Sequence, residues 1–180
     1  DQGLIYVGAA IEAGMYINLN SDGFRVGADL GLFDAEYVND SGITYYALCL
    51  AGTDVAYGTY VGNGTSQSIA LAWQPDWVIV KRHPSSTSTH LKGKDMAAAD
   101  SVSLDGGIVT NGITAFTVAG FDIGNQSQVN LDLATHSYIA LRELAGQVEM
   151  ITWTGDGSQD RLITTINPPL FVFACAGQVT

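Results

Sequence analysis

The sequence predicts an all-β protein: an antiparallel β-sandwich or jelly roll with two pseudo-repeated lobes. Three observations carry that expectation. Short apolar, β-branched and aromatic runs recur every eight to twelve residues or so, the spacing of successive strands in a sandwich. Asn-Gly and Asp-Gly steps close these runs, and such pairs tolerate the positive φ that tight turns require. Glycine occupies 21 of 180 positions, about 12% against a usual ~7%, a surplus that disfavours helices.

Taken in order, the strand-like runs are residues 44–50, 67–73, 77–81, 115–119, 148–154 and 170–176. Between them stand Asp40-Ser41-Gly42, Asn63-Gly64, Asp105-Gly106-Gly107, Asn111-Gly112 and Asp156-Gly157. The one helical turn the pattern suggests is Met96-Ala97-Ala98-Ala99, too short to define a class. Cys49 and Cys175 each lie inside an apolar run, which reads as two buried free thiols rather than a disulfide framework.

Composition narrows the function. Hydrophobic residues make up 47% and charged residues 14% of a 19.0 kDa chain with mean hydropathy +0.17, enough to bury roughly 70% of the unfolded surface without staples. No apolar stretch reaches the roughly 20 residues of a membrane-spanning helix, so membrane insertion is not expected. Seven Lys and Arg stand against 18 Asp and Glu, a net charge of −11, which repels phosphate backbones and argues against nucleic-acid binding. The sequence opens at Asp1 with no leader segment, as a processed product or a piece of a longer polypeptide would.

An internal repeat organises the chain. Gly23-Phe24-Arg25-Val26-Gly27 returns as Gly120-Phe121-Asp122-Ile123-Gly124, and Val38-Asn39 as Val129-Asn130. Tyr45 with Ala47-Leu48 returns as Tyr138 with Ala140-Leu141, and Ala51-Gly52 as Ala145-Gly146. The run from Thr59 through Gly64 returns 93 residues later as Thr152-Trp153-Thr154-Gly155-Asp156-Gly157, and the run from Pro75 through Val80 as that from Pro168 through Phe173. One complete unit is therefore expected at 53–146. The segments 1–52 and 147–180 read as a second half and a first half of the same unit, closing on each other within the chain or with neighbouring chains. A half unit has open strand edges and an uncovered apolar face, so it needs its complement.

The central unit resembles a β-rich module of tailed-bacteriophage virion and tail fibre proteins. The resemblance lies in Gly58-Thr59-Tyr60-Val61-Gly62-Asn63-Gly64, the Gln74-Pro75-Asp76 corner with its apolar strand ending in Lys81, the polar loop with His90, the Gly120 to Gly124 segment, and Val129-Asn130 followed by Tyr138 to Leu141. It departs from the module in the loop 85–101. The resemblance implies a concanavalin-like or jelly-roll sandwich, a structural role in a virion or other extracellular assembly, homo-oligomers and neighbouring virion proteins as partners, and neither an enzymatic activity nor a cofactor. A carbohydrate-binding, receptor-recognising module at a fibre tip, meeting a host surface glycan, is the alternative.

Candidate sites follow the same division. Tyr60, Trp73 and Trp153 are aromatics able to stack on sugar faces, although the equivalent repeat positions of Tyr60 and Trp153 suggest a shared core role over a shared binding role. His90 is the fourth ligand-binding candidate, in a loop with His83, Lys92, Lys94 and Asp95; the segment is rich in Ser and Thr and also reads as a solvated loop, and its spacing matches no tetrahedral metal pattern. Lys81, Arg82, Lys92 and Lys94 are four of the seven cations, a basic spot suited to an acidic neighbouring subunit. Asp34 with Glu36, Asp156 with Asp160 and Glu143 with Glu149 are the carboxylate pairs that a glycosidase would need, but most sit beside turn residues. No nucleophile elbow or phosphate loop is present. The acidic loop 29–40 lacks the ligand ladder of an EF-hand calcium site.

Overall fold

A computed structural model describes residues 49–50, 52–83, 88–104, 106–145, 148–169, 172 and 174, together with the backbone of 17–20 and 23–26. Asp1–Ala51 and Gly52–Thr180 form two compact units. In the first unit, β1 (Ile17–Asn20) and β2 (Gly23–Val26) form an antiparallel hairpin in which Asn20 lies opposite Gly23. The expected strand at 44–50 falls mostly outside the described residues. Cys49, expected to be buried, is exposed and lies outside any strand: apolar neighbours in sequence do not by themselves bury a thiol. Cys175 lies outside the described residues.

The second unit is an all-β sandwich. Its strands are β3 (Val55–Val61), β4 (Gln67–Ala70), β5 (Trp77–His83), β6 (His90–Gly93), β7 (Asp100–Ser103), β8 (Gly106–Thr110), β9 (Ile113–Thr117), β10 (Gly120–Ile123) and β11 (Thr135–Leu141). A six-stranded sheet runs β3-β11-β5-β6-β7-β8 and a three-stranded sheet runs β4-β10-β9, every pairing antiparallel. The expected Asn-Gly turns are present, yet neither closes a hairpin. Asn63-Gly64 carries the chain from β3 to β4, and Asn111-Gly112 carries it from β8 to β9, each time from the large sheet to the small one. These are corners of the sandwich. Asn111 (φ 63°) and Gly64 (φ 68°) take the left-handed conformation that the sharp change of direction requires.

The core lies between the sheets. Val78, Val80, Tyr138 and Ala140 of the large sheet meet Ile69, Ile113, Phe121 and Ile123 of the small one, with Val129 closing one end. Register explains the set: Ala140 faces Val78 and Tyr138 faces Val80 across β11 and β5, so residues two apart share the inner face. Phe121 meets Tyr138 edge to face at 5.3 Å. A Cβ on Gly58 would lie 2.6 Å from the Tyr138 hydroxyl oxygen, so the ring leaves room only for glycine. The middle strands are buried on both faces. Tyr57, Ile139, Ile79, Leu91, Val102 and Ile108 form a cross-strand row on the opposite face, and Ile79, Leu91 and Val102 in its middle are buried.

Two local expectations are corrected. The helical turn at 96–99 is instead a pair of tight turns, with Met96 N donating to Gly93 O and Asp100 N to Ala97 O, and the positive φ of Ala99 stops a helix. The single described helical turn is α1 (Ser127–Asn130). The run 148–154 is not a strand: Val148 makes one isolated bridge to Leu144, and residues 151–160 are exposed. An apolar, β-branched run makes a strand only when another strand supplies its hydrogen bonds. The run 170–176 lies almost wholly outside the described residues.

Candidate functional site

The corner at Asn63 shows how the quoted motifs fit together. Asn130, fully buried at the end of α1, accepts from Asn63 N (2.9 Å) and Gln67 Nε2 (2.8 Å), and its amide donates to Gly124 O (2.7 Å), Asn63 Oδ1 (3.2 Å) and Thr65 O. Gly64 N donates to Asn130 O at 3.1 Å. The turn itself is held locally: Asn63 Oδ1 accepts from Thr65 N at 2.9 Å, an Asx turn. Asn63-Gly64 and Val129-Asn130 are thus the two halves of one polar clamp, which ties the sandwich corner to the helical turn.

Beside the clamp, Tyr60 donates its hydroxyl to Val129 O at 2.5 Å and stacks on His136 with centroids 5.1 Å apart. Burial drives the Tyr60 phenol far above its ordinary range. Its ring packs against the core and its hydroxyl is already used, so the structure gives Tyr60 a core position. His136 is fully buried. Burial lowers its imidazole to about 4, the Ala134 carbonyl opposes the shift, and the nearby Arg82 charge adds to it. Trp73 is half-buried against the core, with the Arg142 guanidinium 5.4 Å over its ring. Trp153 alone among these aromatics is exposed, at 47%, outside any strand.

The basic segment is not a solvated loop. His90, Leu91 and Lys92 are consecutive buried residues of β6, paired with Val80, Ile79 and Val78. His90 and Lys92 therefore share the inner face with Val80 and Val78. Lys81, 8% exposed at the far end of β5, is likewise buried, and Arg82 reaches Ser127 O at 3.1 Å. The four cations therefore do not gather into one exposed spot: strand pairing buries the Lys92 stem on the inner face and Lys81 on the opposite face beside Ile79. Lys94 is the member that remains outward, and it forms an ion pair with Glu143. That contact raises the Lys94 ammonium and lowers the Glu143 carboxyl from their ordinary values.

The carboxylates have structural partners. Glu143 also accepts from Met150 N at 2.7 Å, and Glu149 accepts from Ile166 N at 2.9 Å. Asp156 accepts from Ser158 N (2.9 Å) and Ser158 Oγ (2.6 Å) and lies 3.4 Å from Arg161. Asp34, Glu36 and the acidic loop 29–40 lie outside the described residues. The Gln74-Pro75-Asp76 corner is explained by Asp76, whose carboxylate accepts from Glu143 N at 2.8 Å while its amide donates to Leu141 O at 2.9 Å.

A second arrangement stands out in the segment 148–169. The Asp156 turn repeats the Asn63 turn: the side-chain oxygen accepts from the amide two residues on in both, and the glycine between has φ 68° at Gly64 and 73° at Gly157. The hairpins behave alike too, since Thr117 lies opposite Gly120 as Asn20 lies opposite Gly23. Yet 148–169 contains no described strand, and Ile151, Trp153, Leu162 (85%) and Ile166 stand exposed. Sequence reasoning missed the clamp role of Asn130 and Gln67 and the inner-face position of Lys92. Only the pairing register signals them, and register is a property of the folded sheet. No protein-family model matches the chain, and searches of the curated proteins and of the solved structures return no match.

Proposed function

We propose that the chain is a non-enzymatic structural protein of a phage particle, a tail fibre, tail or surface component, that self-associates and binds neighbouring virion proteins by completing half units. One observation carries the reading: the Asx turn at Asp156–Ser158 reproduces the Asn63–Thr65 turn in a segment whose apolar side chains are exposed and whose strand partner is missing among the described residues. Exposed apolar surface of this kind marks a protein interface. In the repeat, Val38-Asn39 corresponds to the Val129-Asn130 that clamps the first turn. The complement of 148–169 in this reading is a 1–52 half, and self-association follows where that half belongs to a neighbouring copy: reciprocal exchange closes a two-fold dimer, head-to-tail exchange a ring or a fibre. The placement in a virion rests on the resemblance of the central unit to the phage module.

Sedimentation of the full chain across a concentration series tests the association. The expected result is an oligomer that dissociates when Ile151 and Trp153 are both replaced by Ser. A monomer at every concentration, or an oligomer indifferent to those two changes, would overturn it. Specific glycan binding by that monomer, abolished by Trp153→Ser, would instead favour receptor recognition. An image of an intact particle tests the virion assignment separately.

A further inference from the structure

The inner face of the sandwich is apolar at Val78, Val80, Tyr138 and Ala140 but carries a cation under β6. Lys92 is 3% exposed, and its ammonium donates to Ala97 O (2.8 Å) and Asp100 O (2.6 Å). An ammonium has three N–H groups, so one is left over. Among the described residues no carboxylate forms an ion pair with Lys92; its counter-charge is Asp100, acting at longer range. Buried charges are normally paired, and this one borders a cleft of about 230 Å³ lined also by Gln74, Lys94, Met96, Thr114 and Phe116.

We propose that this cleft binds a small monocarboxylate, with the charged end on the Lys92 ammonium and an apolar body on Phe116 and Met96. The inference is independent of the assembly reading. Size limits the ligand, because the cleft is smaller than the ~300 Å³ at which drug-sized sites begin. Charge limits it further: Glu143 holds Lys94 at the rim, and the chain carries −11 overall, so a dianion such as phosphate meets more repulsion than a monoanion. Gln74 and Thr114 supply polar groups for orientation. Burial lowers the Lys92 ammonium from its ordinary value, and a bound carboxylate would reverse that direction.

The test is a titration of the full chain with benzoate and with benzamide, its uncharged counterpart of the same shape, followed by the backbone amide resonances of Gln74, Thr114, Ala115 and Phe116. Benzoate is expected to saturate these shifts with a dissociation constant of about 1 mM, and benzamide to bind at least about tenfold more weakly. Lys92→Met should abolish the preference. Because that change removes the donor from the Ala97 and Asp100 carbonyls, Ala98→Phe serves as the second variant: Ala98 lines the cleft at an exposed position, and filling it should weaken benzoate at least about tenfold at an unchanged melting temperature. Equal binding of benzoate and benzamide, no saturation by about 50 mM, or undiminished binding in the folded Ala98→Phe protein would overturn the proposal.

Discussion

The corners at Asn63 and Asp156 differ in context rather than in local chemistry. Both hold an Asx turn with a left-handed glycine. Around Asn63 the chain is locked into two sheets, with the buried Asn130 amide behind the turn. Around Asp156 the chain is exposed, and Arg161 is its charged neighbour. A turn thus forms from its own residues, whereas a strand forms only when a partner arrives.

The sharpest way to break the contrast is to remove the clamp. Asn130→Ala leaves Asn63 N, Gln67 Nε2 and the buried Gly124 carbonyl short of partners, and is expected to destabilise the sandwich by about 3 kcal/mol, read as a drop in melting temperature. A loss under about 1 kcal/mol would mean that water replaces the amide there.

Acid should strike the sealed region hardest. The His136 imidazole titrates near 4 in the fold against an ordinary 6.5, so the unfolded chain binds the extra proton between those values. The contribution is fully present above pH ~6.5 and is lost as pH falls toward ~4, amounting to about 3 kcal/mol. Denaturant midpoints measured from pH 7.5 to 4 should therefore fall more steeply in the native protein than in His136→Phe, which keeps the ring against Tyr60. Parallel curves would contradict the assignment.

Smaller effects sharpen the comparison. Gly58→Ala pushes a methyl against the Tyr138 ring and should cost about 2 kcal/mol in thermal unfolding. Replacing each turn's own side chain should separate the two corners: Asn63→Ala is expected to cost about 1 kcal/mol, whereas Asp156→Ala should leave the melting temperature of the dilute chain unchanged and weaken only its association. Equal melting shifts from both substitutions would show that the Asp156 segment is already packed.

Much of the fold was legible in advance because its signals are short-range. Short apolar and β-branched runs marked β4, β5 and β9, and the left-handed glycines at 64 and 157 followed from Asn-Gly and Asp-Gly. The basic segment was misleading for the opposite reason. Ser, Thr, His and Lys between 83 and 94 look solvated, but β6 pairs with β5 so that Lys92 shares a face with Val78. Nothing within the segment encodes that neighbour.

By itself, then, the sequence determined the all-β class, the turn conformations and the apolar residues available for a core, since each depends on backbone preferences and patterns spanning a few residues. Only the tertiary structure decided that two Asn-Gly steps cross between sheets, that Asn63 meets Asn130 across 67 positions, and that a lysine lies inside. Those outcomes depend on which strand pairs with which and in what register. That choice balances the entropy of closing long loops against burial of the whole core, and no local stretch contains both sides of it.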